Sequence, residues 1–385
     1  MNGSLERLNQ TRASLDEAER TLTKHKIIFE SLRESILSGD YRPGSRLPSE
    51  TELVRRFGVS RMTITKALKE IQSLGLIERR AGSGTYVKSQ PKRDARLFGL
   101  LIPELGQTEI FEPICQGLSS NTNSGTHSLL WGNSATNEGH KEQVAEDLCR
   151  QYVAQGVSGV FFAPLELTPL MDEVNHRIAA TLDRAKIPIV LLDRCFLPYP
   201  RRSRYDLIGI DNRRTAYMAT EHLIKAGGKR IAFLGKSLSA PTVDSRVSGY
   251  REALQTNQML QNEDLVTRGD PSDENLIRNI LDSMKPDGFV CANDHTAATL
   301  MQTLLRLGRR IPEDIRMVGI DDVKYASLLP IPLTTLRQPC LDIGRAAISA
   351  MIDRLEDPGF PARDILLHCS LQVRKSCGSI HQDRS

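Results

Sequence analysis

The 385-residue sequence predicts an α/β protein in two parts: a small helix-turn-helix domain with a β-hairpin wing, then a larger body of parallel sheets in two lobes. Three observations predict this. Between Pro48 and Val87, two short capped helices precede a basic hairpin broken by glycines. After Arg96, apolar strands alternate with amphipathic helices in two successive runs. Such alternation belongs to parallel sheets covered on both faces. Charge is also unevenly placed. Residues 24–96 hold 16 Lys and Arg against 8 Asp and Glu, a net +8, while residues 97–385 hold 32 against 35, a net −3. A basic module on a slightly acidic body suits one part facing phosphate and another facing something neutral.

The elements follow in order. Residues 1–23 are polar, with only Leu5, Leu8, Leu15 and Leu22 in a weak helical stripe. A disordered or loosely helical extension is expected there. A leading helix is expected from Ile27 to Leu37. Ser49 caps the next helix, with Glu52 at the third helical position completing a capping box. Gly58 ends it and Ser60 caps the third helix. There Ile64, Ala67, Leu68, Ile71 and Leu74 form a buried stripe, and Arg61, Thr65, Lys66 and Lys69 occupy the opposite face. A short helix, a tight turn and a helix with a cationic leading end are the parts of a helix-turn-helix. Leu76 to Val87 forms the wing, with Gly82 and Gly84 at its tip. A small helical domain with a solvated charged face explains the stripe alone, but not the ordered caps, stripe and wing together. Residues 89–96 are charged, contain Pro91 and read as a linker between domains at 24–88 and 97–385.

In the body, strands are expected at Leu97–Pro103, Ser128–Asn133, Gly159–Pro164, Ile187–Asp193, Ile208–Asp211, Ile231–Gly235, Gly288–Ala292 and Met317–Ile320. Helices are expected at Ile110–Asn121, Glu138–Gln155, Pro169–Ala185 and Arg213–Ala226. Ligands of such sheets bind beyond the carboxyl ends of the strands. Those ends carry Pro103, Glu104, Asn133, Ser134, Pro164, Asp193 and Arg194 in the first run. In the second they carry Gly235, Lys236, Asn293, Asp294, Asp321 and Asp322. Paired Asp and Arg hold vicinal hydroxyls through charge-assisted hydrogen bonds, and an aromatic ring, from Phe111 or Trp131, covers the apolar face of a sugar. Taken singly, each is as easily a helix cap or a core residue; the constellation points to a binding cleft.

No run of about 20 apolar residues is present, nor an N-terminal stretch of signal-peptide type, so a soluble, cytoplasmic protein with no membrane partner is expected. The seven cysteines are scattered without a C-x-x-C, so free thiols in a reducing compartment are expected, with no metal site and no cofactor.

The pieces SGDYRPGSRLPSE, GVSRMTITKAL and GLIERRAGSGTYV make residues 24–88 resemble the winged helix-turn-helix of the GntR family of bacterial transcription regulators. The resemblance implies a dimer on double-stranded operator DNA. It implies contacts from Arg61, Ser60 and Thr63, and from Arg80, Gly82 and Gly84 of the wing; Ser49, Thr65 and Lys66 complete the candidate set. Many members carry an arginine four positions after the first, where this chain has Thr65 followed by Lys66.

The pieces GLLIP, GVFFAP, IPIVLLDR, IGIDN, KRIAFLG, DSRVSGYREAL, DGFVCANDHTA, IPEDIRMVGIDD and LTTLRQP make the body resemble the effector-binding domain of the LacI/GalR family, with its periplasmic-binding-protein-like fold. That implies two lobes joined by three crossovers and a small effector, a sugar, between them. The implied ligand residues are Arg194, Arg246, Asn293, Asp294, Asp321 and Gln338, with Asp211 and Asn212 beside the cleft. The expected function is a sugar-responsive repressor rather than an enzyme. The body alone also suits a solute-binding protein, but the basic winged helix and the absence of an export signal argue against it. A fused pyridoxal-phosphate enzyme needs a longer body and a suitable lysine motif, and the chain has neither.

Overall fold

Helix α1 spans residues 24–36, α2 Glu50–Phe57 and α3 Arg61–Ser73. Ser49 begins α2 as its sequence requires: its hydroxyl accepts the Glu52 N–H at 3.3 Å, and the Glu52 carboxylate accepts the Ser49 N–H at 2.7 Å. Gly58, at φ 61°, turns the chain out of α2. The Ser60 hydroxyl accepts the Thr63 N–H at the start of α3. Ile64, Ala67, Leu68 and Ile71 of α3 pack with Ile28, Leu32 and Leu53 into one apolar core. Strand β1 (Ile77–Arg80) pairs antiparallel with β2 (Gly84–Val87), placing buried Ile77 opposite buried Val87.

These features come from a computed structural model, which describes residues 24–36, 40–41, 44–73, 76–80, 83–88, 96–102, 109–120, 127–132, 141–259 and 265–379. The expectations for residues 1–23, Leu74, Gly82, most of the 89–96 linker, Pro103, Glu104, Asn133 and Ser134 lie outside them. The chain divides into two units, Met1–Asp94 and Ala95–Ser385.

The second unit contains two six-stranded sheets. The first lobe begins with β3 (Arg96–Leu101), α4 (Phe111–Ser120), β4 (His127–Trp131), α5 (Lys141–Ala154), β5 (Gly159–Phe162), α6 (Met171–Arg184), β6 (Ile189–Leu192) and β7 (Asp206–Ile210). The second lobe then runs α7 (Asn212–Lys225), β8 (Ile231–Gly235), α8 (Pro241–Thr256), β9 (Val266–Arg268), α9 (Glu274–Ser283), β10 (Gly288–Cys291), α10 (Asp294–Arg306), β11 (Arg316–Asp321) and β12 (Thr334–Arg337). The chain returns to the first lobe for α11 (Cys340–Glu356) and β13 (Asp364–Leu367), and ends in the second with β14 (Ser370–Gln372). Sheet orders are β13-β7-β6-β5-β3-β4 and β14-β12-β11-β10-β8-β9. Every pairing is parallel except β12 with β14. The three crossovers expected of the body are thus at Asp211, at Gln338–Pro339 and at residues 368–369.

Central strands β5, β6, β8 and β10 are buried along their whole length, as helices on both faces require. Strands β9, β12, β13 and β14 had no clear signature in the sequence; all but β12 lie at an edge. Strand β9 has three residues, and β13 alternates exposed with half-buried because it has a neighbour on one side only. Helices α7 and α8 meet at Gly249, where a Cβ would stand 1.9 Å from the Arg213 carbonyl oxygen.

Candidate functional site

The carboxyl ends of both sets of strands face a cleft of about 370 Å³ between the lobes of the second unit. Phe111, Glu166, Asp193 and Arg194 line it from the first lobe, and Arg246, Asn293 and Asp321 from the second. Gln338, on the second crossover, lines it from between them. Six of the eight residues expected at a ligand, Phe111, Arg194, Arg246, Asn293, Asp321 and Gln338, are therefore brought together.

Arg194 follows Asp193, whose φ of 67° turns the chain at the end of β6. Its guanidinium stands 5.6 Å from the centre of the Phe111 ring, donates to the Glu166 carboxylate and lies 3.7 Å from Asp193. Glu166 also accepts the Ala240 N–H at 3.1 Å. Ala240, which caps α8, has no side-chain oxygen, and a carboxylate from the opposite lobe stands at that helix start instead. The Leu167 N–H donates to the Leu238 carbonyl at 2.8 Å, a second tie between the lobes.

Arg246 donates from Nε to Asn212 Oδ1 at 2.8 Å and from Nη1 to the Ala292 carbonyl. Its Nη2 lies 4.0 Å from Asp321, which accepts a 2.7 Å hydrogen bond from Gln338 Nε2. Asp321 and Asp322 have φ of 128° and 56°, a conformation that costs non-glycine residues on the order of 1–3 kcal/mol each. Arg337 and Arg374 each grip the Asp322 carboxylate at 2.6 Å and hold the turn.

Four carboxylates, Glu109, Glu166, Asp193 and Asp321, thus line the cleft with two guanidiniums. Burial works to raise Glu166, but the Arg194 charge overcomes it and holds the carboxyl below its ordinary range. Burial raises Asp193 against the pull of Arg194, and pushes Asp321 up to about 8 against that of Arg246. Among the described residues, Asp193 Oδ1, Gln338 Oε1 and Glu109 Oε2, all on cleft residues, are buried acceptors without a hydrogen-bond donor. Acceptors of this kind suit a ligand that brings hydroxyl donors.

The raised carboxyl of Asp321 has a measurable consequence. A carboxyl that binds its proton more tightly when folded contributes stability that is lost as pH rises through its folded pKa. The unfolding free energy of the ligand-free protein, read by denaturant titration, is therefore expected to fall between pH 6 and 8, by up to about 1.4 kcal/mol per pH unit for one proton. Asp321→Asn should flatten that slope; an unchanged slope would remove Asp321 as its source.

Two expected ligand residues stand elsewhere. Trp131 ends edge strand β4, is 63% exposed and is not among the residues that line the cleft. Asp294 is fully buried behind it: Oδ1 accepts the Thr335 hydroxyl at 2.6 Å and Oδ2 the Val323 N–H at 3.1 Å. One oxygen anchors the loop after β11 and the other strand β12, because the side chain points into the second lobe. Asn293 lines the cleft while its Oδ1 caps α10 through the Thr296 N–H. Asp211 caps α7. Glu166 was missed in the sequence because it lies two residues past the strand-end proline, Pro164, in an apolar-looking loop.

In the first unit, the leading end of α3 presents Arg61, whose side chain is 80% exposed, with half-buried Thr65 and exposed Lys66. Arg61 is not free. Glu50, at the start of α2, accepts from Arg61 at 3.0 Å, from Thr65 at 3.4 Å and from Arg79 of the wing at 2.8 Å. Although burial opposes it, the hydrogen bond from Arg61 and the charge of Arg79 hold the Glu50 carboxyl below its ordinary range. Arg80 pairs with Glu78 and lies over the Tyr86 ring at 4.5 Å. Gly84, at φ 122°, lies against Arg46, which a Cβ would meet at 2.7 Å. Ser49 and Ser60 are engaged as caps. Thr63 does not face outward as expected: it is buried, with its hydroxyl 2.8 Å from that of Ser60, because the first turn of α3 rotates it toward the core.

Among the described residues, no helix is long and apolar enough to cross a membrane, and no group of three or more His, Cys, Asp or Glu is placed to hold a metal ion.

Residues 23–87 match the gntR family of bacterial regulatory proteins, and residues 220–377 match the periplasmic binding protein-like domain. Over 374 residues the chain is 26% identical to the arabinose metabolism transcriptional repressor of Geobacillus stearothermophilus, covering 94% of this chain and 100% of that one. Among solved structures it is similar to the complex of the transcriptional regulator CelR with cellobiose, at 26% identity and a TM-score of 0.61, covering 83% of this chain and 91% of that one. It shares the fold of the transcription regulator CcpA of Lactococcus lactis at a TM-score of 0.62 and 21% identity, over 73% of this chain and 99% of that one.

Proposed function

We propose, on the premise that this chain is a transcription regulator joining a gntR-family DNA-binding domain to a LacI-type periplasmic binding protein-like domain, that a small sugar held between the lobes controls its grip on operator DNA. The observation that carries this reading is the convergence of Arg194, Arg246, Asp193, Asp321 and Gln338 on one cleft where the crossovers pass. Arginines and carboxylates in alternation bind vicinal hydroxyls without gathering a net charge. Moving the lobes about the crossovers is the natural consequence of filling the cleft. An effector weakens DNA binding only if it prefers the state that binds DNA poorly. The similar regulator resolved with cellobiose supports a carbohydrate.

The DNA-facing part is α3 with the wing. Two copies of the chain would read a pseudo-palindrome, with Arg61 on a guanine in the major groove and Arg80 with Gly84 at the adjoining backbone. Arg61→Ala is expected to cost about 1–3 kcal/mol of operator binding and to relax preference at one base pair per half-site. Arg80→Ala weakens binding to all sequences alike. Both are read by quantitative binding at fixed salt, since phosphate contacts make affinity salt-dependent. Full affinity and full discrimination in Arg61→Ala would displace α3 from this role.

The effector is found by a thermal-shift screen of monosaccharides, disaccharides and sugar phosphates. A ligand at 100 times its dissociation constant stabilises the native state by about 2.7 kcal/mol. Operator affinity with and without each hit then tests the coupling; a screen in which no sugar alters operator affinity would end the sugar-sensor reading.

A further inference from the structure

We propose that Met62 is a base-reading residue that recognises the 5-methyl group of a thymine beside the base pair contacted by Arg61. The inference rests on the reading of α3 as the DNA-facing helix. Met62 has an apolar side chain, yet it is 82% exposed. It sits in the leading turn of α3, between Arg61, which is held by Glu50, and Thr63, which is turned into the core. At helical spacing from Met62, the outward stripe continues through Thr65, Lys66 and Lys69. Every other position of that stripe is polar or cationic, so Met62 is the one apolar contact at the end of the helix that reaches deepest into a major groove.

The chemistry of the groove floor says what such a side chain meets. Only thymine places an apolar group there; guanine, adenine and cytosine present donors and acceptors that a thioether cannot satisfy. The methionine chain is unbranched and adapts its rotamer to the methyl. Arg61 with its guanine and Met62 with its thymine would read neighbouring base pairs by different physics, one by paired hydrogen bonds and one by apolar burial. Discrimination by Met62 is therefore expected to be the less sensitive to salt.

The test uses the full chain. Duplexes are selected from a random pool, and each dT of the selected half-site is replaced in turn by dU, which removes only the methyl group. At one dT per half-site, the wild-type protein should bind the dU duplex about fourfold more weakly, the worth of one buried methyl-sized group. Met62→Ala should bind the dT and dU duplexes equally. Met62→Leu, which keeps an apolar reach, should retain the difference. Insensitivity of the wild type to dU at every position, or an equal loss in wild type and Met62→Ala, would overturn the proposal while leaving the DNA-binding reading intact. Failure to enrich any duplex would overturn both.

Discussion

Asp294→Ala is expected to lower the unfolding free energy of the body by about 2–5 kcal/mol, and to act on effector response only through that loss. The carboxylate is fully buried and accepts from the Thr335 hydroxyl and the Val323 N–H. Removing it leaves two buried donors unpaired, at about 1–3 kcal/mol each. It also empties a space so tight that a Cβ on Gly319 would stand 2.1 Å from Oδ1. Burial raises the Asp294 carboxyl to about 6, so the stabilisation it provides is fully present in acid and is lost as pH rises through that value. The penalty of the Ala substitution should therefore be larger at pH 5 than at pH 8. Denaturant midpoints at the two pH values check both statements. A variant of wild-type stability that no longer responds to effector would instead place Asp294 at the ligand.

Arg246→Ala is expected to weaken effector binding by about 2–5 kcal/mol, the usual cost of truncating one partner of a buried hydrogen-bonded charge pair. Its guanidinium spans Asn212, just past the first crossover, the Ala292 carbonyl and the Asp321 carboxylate. Without it, Arg194 is the one guanidinium left lining the cleft beside Asp321 and Asp193. Arg246→Lys should rescue little, because a single ammonium does not reproduce bonds made along a planar fork. Calorimetry with a sugar found in the screen measures the loss, and operator affinity without effector should stay close to that of wild type. Full effector response in Arg246→Ala would separate this arginine from the ligand.

These two residues show where the sequence was informative. Arg246 was legible as a ligand candidate through the SRVSGY segment, and the structure places it at the cleft. Asp294 stood at the end of a strand, where ligands bind, and in a segment whose family resemblance implied a ligand residue, and was expected at the ligand on both grounds. Position at a strand end does not determine which way a carboxylate turns. Asp294 turns inward because Thr335, 41 residues away, offers its hydroxyl there. Trp131 shows the same limit: its strand is the edge of the sheet and the residue is largely exposed.

What the sequence determined by itself was local or periodic. The Ser49–Glu52 capping box, the left-handed Gly58 and the stripe of Ile64, Ala67, Leu68 and Ile71 depend on residues three or four apart. The alternation of buried strands and amphipathic helices needs no more than hydrophobic period and element length. The tertiary structure decided the bridges. Glu50 gathers Arg61 and Arg79 across 11 and 29 residues, and Glu166 joins Arg194 to the first turn of α8 across 28 and 74. A carboxylate seeks whatever cation or unpaired N–H the fold brings within about 3 Å. Partners that far along the chain become neighbours only through tertiary packing, so no pattern of spacing in the sequence marks them.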